Sequence, residues 1–147
     1  LEEMRDCRAI REAVAAAEAG CLVLSALHAN DVSDALSHLV DAFPLHQKEQ
    51  ICNRLSNVLE AVISQQLLPR ADGNGRAVAF EVLPVSVKAR SLIREGKMHA
   101  IRELMRANHR EGMVTMEEAV RALVCAGTVS RQTAGEFVRD MEQTADA

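Results

Sequence analysis

The sequence predicts an α/β fold in two parts: a core of parallel sheet, helices and a β-hairpin, then a small all-helical region. Three observations carry this expectation. A continuously apolar run, Cys21 to Leu27, lies between two helical patterns, as a strand buried on both faces of a parallel sheet does. Two strand-like stretches, residues 64–70 and 76–83, flank Asp72-Gly73-Asn74-Gly75, whose turn-favouring dipeptides read as a hairpin loop. Beyond Pro84 the patterned segments all have helical period.

The elements follow in order. Residues 8–19 place Ile10, Val14 and Ala17 on one face of an Ala-rich helix that Gly20 stops. The apolar strand ends at His28. Asp31 or Ser33 caps the next helix, which carries Val32, Leu36, Leu39 and Val40 and stops near Pro44. A helix over residues 46–62 shows Ile51, Leu55, Val58, Leu59 and Val62 at core-facing spacing. After the hairpin, helices are expected over residues 86–94, 97–108, 115–126 and 130 to about 141. The third is opened by a Thr115–Glu118 capping box and closed by Gly127. The change of character at Pro84 divides the chain into residues 1–84 and 85–147.

Composition narrows the function. The 147 residues are 48% hydrophobic, enough for one core or for a medium core with a helical appendage. With 17 basic against 21 acidic residues, net −4, charge gives no reason to expect a nucleic-acid partner, and 2% aromatics supplies no base-stacking platform. Leu, Val, Ile and Ala must build the core, with Met98, Met105, Met113, Met116 and Met141 as filler. Cys7, Cys21, Cys52 and Cys125 have neither CxxC nor Cys/His metal spacing and read as buried thiols of a cytoplasmic protein. No apolar run reaches the roughly 18 residues of a membrane span. The absence of an initiator Met makes a missing N-terminal part the expectation. Arg102, Arg106 and Arg110 read as a solvated helical face.

Ligands of open parallel sheets bind beyond the carboxyl ends of the strands, which places His28 where function sits. Its imidazole can donate to a phosphate oxygen, or simply hold a loop. Glu2 and Glu3 precede Met4-Arg5-Asp6, where another sheet strand should end. A carboxylate there can polarise an attacking water or support Mg²⁺; an acidic cluster can equally be solvated surface.

Three motifs add a resemblance. Glu3-Met4-Arg5-Asp6 looks like the atypical Walker B motif (GEMRD) of the PilT-type pilus retraction ATPases. Leu22-Val23-Leu24-Ser25-Ala26-Leu27-His28-Ala29-Asn30 looks like their His box (HLVFATLHTN), and Ala89-Arg90-Ser91-Leu92-Ile93-Arg94-Glu95 like their AIRNLIRE motif. Order and spacing agree, and the chain resembles the C-terminal half of these secretion-type motor ATPases over nearly its whole length. The resemblance implies a partial RecA-like ATPase core followed by a helical C-terminal region. It also implies ATP and Mg as cofactors, a homo-hexamer peripheral to the inner membrane, and an inner-membrane pilus platform protein as partner.

Residue by residue, the resemblance makes Glu3 the water-activating, magnesium-supporting carboxylate, with Asp6 beside the nucleotide, and His28 the sensor of the γ-phosphate. It makes Ala89, Arg90, Leu92, Ile93, Arg94 and Glu95 the motif needed for pulling rather than for hydrolysis. The sequence departs from the family in having Glu2 where the family has glycine. The phosphate-binding loop G-x-x-x-x-G-K-[ST] is also missing, since none of Lys48, Lys88 or Lys97 precedes Ser or Thr. The chain by itself is therefore expected to lack ATPase activity. No cysteine lies between Leu68 and Phe80, where the related extension ATPases carry zinc-binding CxxC motifs, which favours retraction. The alternative is a degenerate, non-catalytic remnant that serves as a docking module for pilus or secretion platform proteins.

Overall fold

The Asp6 carboxylate accepts the Ala9 N–H at 2.8 Å and so opens α1 (Cys7–Glu18), whose Ile10, Ala13 and Val14 turn inward. The computed structural model describes residues 3, 4, 6–108 and 111–137. Gly20, at φ 92, takes a left-handed conformation open to glycine at little cost and ends this helix. Asp31 caps α2 (Val32–Asp41) by accepting the Asp34 N–H at 2.8 Å, so Ser33 lies inside the helix rather than at its cap. Next come α3 (Leu45–Val58) and the antiparallel hairpin of β1 (Ala61–Pro69) and β2 (Arg76–Pro84). Ser86 caps α4 (Val87–Arg94); a 3-10 turn, Met98–Ala100, leads into α5 (Ile101–Ala107). The capping box of Thr115 and Glu118 opens α6 (Met116–Cys125), and residues 131–137 are again helical.

The α/β class with helices after Pro84 is the expected one, but several elements differ. Residues 21–27 form no strand: their ladder is a single parallel bridge, Glu3 to Ala26, with the Met4 N–H donating to the Ala26 carbonyl at 3.0 Å. A strand buried on both faces needs neighbours on both. Val23, Ser25 and Leu27 are half-buried, whereas Leu22 and Leu24 are 82% and 75% exposed. The two-stranded hairpin is the only sheet among the described residues, so the parallel sheet of the expectation is reduced to that bridge.

Helix α3 stops at Val58 rather than Val62, because Ala61 and Val62 pair with Pro84 and Leu83 across the hairpin. The expected helix over 97–108 begins as the 3-10 turn. Beyond Pro84, Val114 exchanges two backbone hydrogen bonds with Val82, at 2.9 and 3.0 Å, laying a short third segment against β2. Of the four thiols only Cys52 is buried; Cys7 is half-buried, and Cys21 and Cys125 are exposed. Met98, Met105, Met113 and Met116 are core residues, as expected. Met141, Arg110, Glu2 and the end of the last expected helix lie outside the described residues. No helix among the described residues is long and apolar enough to cross a membrane.

The packing crosses Pro84. One cluster joins Ile10 and Val14 of α1, Leu36 and Leu39 of α2 and Ile51 and Leu55 of α3 to Ala89, Ile93, Ile101 and Met105 beyond the hairpin. A second joins Leu68, Ala77 and Ala79 of the hairpin to Met116 and Val120 of α6 and to Val129. Each large side chain buried this way is worth about 1.5–3 kcal/mol relative to exposure, so the hairpin is held between α2 on one side and α6 on the other.

Among the described residues, one carboxylate is buried in this packing. Glu81 of β2 is 4% exposed and accepts the Val32 N–H, the first of α2, at 2.8 Å. Burial pushes its carboxyl above the ordinary value of 4.5; the Val32 N–H and the Arg102 charge oppose this, while the Asp31 and Glu117 charges add to it. The folded chain therefore binds this proton more tightly than the unfolded chain. The stability it contributes is full below 4.5 and is lost as pH rises through the raised folded value. Thermal unfolding of the wild type and of Glu81→Gln, followed upward from pH 4.5, is expected to show the wild type losing stability relative to the variant. Parallel curves would refute the linkage.

Candidate functional site

The Glu3–Ala26 bridge sets two polar side chains side by side. Once the Met4 N–H is bound to Ala26, Glu3 Oε1 lies 3.1 Å from His28 Nε2. The Glu3 side chain is 22% exposed and the imidazole 94%, so the carboxylate is partly shielded while the ring stands in solvent. Together they border a cavity of about 490 Å³ whose floor includes Met4, Ile10, Leu27 and Leu39, with His38 and Asp41 on its rim. An acceptor of a water proton and a donor to an anion thus share one mouth. Among the described residues no group of three or more His, Cys, Asp and Glu side chains could hold a metal ion.

The segment after His28 is fastened from several directions. His38 Nδ1 donates to the His28 carbonyl at 2.9 Å, and His38 Nε2 lies 3.2 Å from Asp34 Oδ1. The Asn30 N–H donates to Asp34 Oδ2 at 2.8 Å. Gln66 Nε2 and Ser64 Oγ of β1 donate to the Asn30 carbonyl, at 3.3 and 3.4 Å. Asp31, besides capping α2, pairs with Arg102 of α5. Arg102 is therefore a structural ion-pair partner rather than part of a solvated face, and Arg106 reaches Glu103 and Glu117 at 3.1 and 3.2 Å. Sequence reasoning missed His38, Asp34, Gln66, Glu81 and Arg102. Only the Asp34–His38 spacing of four on a helix was a local signal.

The other expected residues fall elsewhere. Asp6 is the α1 cap and does not line the cavity. The segment from Ala89 to Glu95 forms α4 and its end, with Ala89 and Ile93 fully buried and Leu92 packed against the same core. Arg90 Nη1 donates to the carbonyls of Ser56 and Asn57, at 2.9 and 3.1 Å, and Arg90 Nη2 reaches Glu60 at 3.1 Å. Arg94 donates to Ser56 Oγ and Asn57 Oδ1, each at 3.3 Å. Arg90 thus satisfies carbonyls at the open C-terminal end of α3, where helical partners are lacking, while Arg94 binds side chains there, and both charges suit the negative pole of its dipole. Glu95 pairs with Lys97 and accepts from Ser91; these bonds, the one to Lys97 foremost, hold its carboxyl below the ordinary value. The structure does not bring this motif to the Glu3–His28 pair.

Comparison with known proteins shows the family. The family model described as Type II/IV secretion system protein matches residues 1–140. A twitching motility protein of Neisseria gonorrhoeae is 38% identical over 140 residues, 95% of this chain and 37% of that protein. The type IV pilus retraction ATPase PilT of Pseudomonas aeruginosa is 37% identical over 134 residues, 91% of this chain and 39% of that protein. A crystal structure of the pilus retraction motor PilT with bound ADP superposes with a TM-score of 0.81 at 38% identity, covering 92% of this chain and 37% of that one. The chain thus spans well under half the length of the relatives it matches. With the family model covering nearly all of it, the chain belongs to the Type II/IV secretion system protein family.

Proposed function

We propose that this chain supplies the water-activating, phosphate-sensing and force-transmitting part of a motor ATPase that drives type IV pilus retraction. The Glu3–His28 pair, 3.1 Å apart at the mouth of a cavity, is the observation that carries the reading. Glu3 takes the proton of the attacking water, and its partial shielding keeps it near its partner instead of dispersed in solvent. His28 swings from Glu3 to donate to the γ-phosphate. When bound, ATP with Mg²⁺ supplies the transferable phosphoryl group and the charge that Glu3 supports. The two side chains suit that end of a nucleotide, one accepting and one donating, while the phosphate-binding loop motif does not occur in the chain.

In the same reading residues 1–84 are the C-terminal part of the ATPase domain and residues 85–147 the helical region that acts on it. Arg90 and Arg94, braced on the end of α3, carry motion from one to the other. The working form is a homo-hexamer in the cytoplasm, peripheral to the inner membrane, engaging a pilus platform protein. Relatives named for twitching motility and pilus retraction support retraction over extension.

In the full-length protein, Glu3→Gln is expected to lower turnover by about 10²-fold or more while nucleotide binding persists, because only general-base action is lost. Hydrolysis at the wild-type rate by this variant would remove Glu3 from this role, whereas no hydrolysis by the unsubstituted full-length protein would favour the docking-module alternative. His28→Ala is expected to lower turnover, and the movement drawn from it, more than it lowers ATP affinity. A variant whose only change is a lower melting temperature would show that His28 merely holds a loop.

A further inference from the structure

The bonds that hold the start of α2 come from parts of the chain with no place in the ATPase site. Val32, its first residue, donates its N–H to Glu81, 49 positions along the chain, and Asp31, its cap, pairs with Arg102, 71 positions along. A fold that needed only stability would do as well with apolar contacts here, since a buried carboxylate costs desolvation that its hydrogen bond only partly offsets. What these contacts add is position. His28 is three residues before Asp31, a span of at most about 11 Å of extended chain, and the intervening Asn30 is itself bonded to Asp34, Ser64 and Gln66. A displacement of Asp31 has little slack to be absorbed in before it reaches the imidazole.

We propose that Arg102 and Glu81 are positioning residues for His28, coupling the loop that bears it to the hairpin and to α5 of the helical region. Without the Arg102 charge, the Asp31 and Glu81 carboxylates, which already oppose one another, would repel across the first turn of α2. Val32 would keep its bond to Glu81 only at the expense of its cap. Arg54 of α3, whose ion pair is with Glu18 of α1, stands outside these contacts and is the control. The inference rests on the proposed ATPase reading, in which His28 meets the γ-phosphate.

The test is a double-mutant cycle on Mg-ATP hydrolysis by the full-length protein, using Arg102→Met and His28→Ala. Arg102→Met is expected to lower kcat on the order of tenfold, with little change in KM, because a small misplacement of a reacting group is costly. Arg102→Lys should restore most of the loss, and Arg54→Met should behave as wild type. In the His28→Ala background, Arg102→Met should change kcat by less than about twofold, because residues acting through one group are not additive. If Arg102→Met does not fold, Glu81→Leu, which removes the acceptor of the Val32 N–H, takes its place in the cycle with the same expectation. Losses that multiply independently, or a folded Arg102→Met that matches wild type, would overturn the positioning role and leave the ATPase reading standing. Wild-type hydrolysis and movement by His28→Ala would overturn both the positioning role and the assignment of His28 to the γ-phosphate.

Discussion

The arrangement depends on how residues 26–32 are pinned at both ends. At one end the Met4 N–H holds the Ala26 carbonyl, which brings Glu3 to His28; at the other, Asp31 and Val32 are held by Arg102 and Glu81. Between them the chain has no regular structure, so its backbone groups take side-chain partners instead: His38 for the His28 carbonyl, Gln66 and Ser64 for the Asn30 carbonyl. Remove either end and the imidazole loses its relation to the carboxylate. The cores on either side of the hairpin serve this geometry by keeping β1 and β2 rigid enough to offer Ser64, Gln66 and Glu81 at fixed places.

The same logic explains why an exposed side chain can occupy a defined site. His28 is almost wholly in solvent, yet its backbone is bound by α2. A ring so placed is free to turn between a carboxylate and an incoming anion without unfolding anything, which suits a sensor better than a buried imidazole would. Exposed ion pairs elsewhere, such as Arg54 with Glu18, tie α1 to α3 without shaping the site.

What the sequence made legible was local. The hairpin could be read because Gly73 and Gly75, at φ 74 and 83, supply the left-handed conformations its loop needs, and α6 because its capping box lies within four residues. The run from Cys21 to Leu27 misled because composition records what a segment can bury, whereas a strand also needs a partner to pair with along its length, and here the pairing is a single bridge. Helix α3 was extended too far because Val58, Leu59 and Val62 continue a helical stripe, while the pairing of Val62 with Leu83 depends on residues some twenty positions away. Glu3, His28 and the Ala89 to Glu95 segment were legible as motifs; most partners that hold them were not, because bonds such as His38 to His28 and Arg102 to Asp31 join residues 10 and 71 positions apart.

The central claim is that Glu3 and His28 are brought together in order to part around a phosphate. A structure of the full-length protein with Mg²⁺ and a non-hydrolysable ATP analogue tests it most directly. The account predicts His28 Nε2 turned from Glu3 to within about 2.6–3.2 Å of a γ-phosphate oxygen, with Glu3 facing the in-line water. A Glu3–His28 pair still closed, with the γ-phosphate beyond the reach of both, would contradict it.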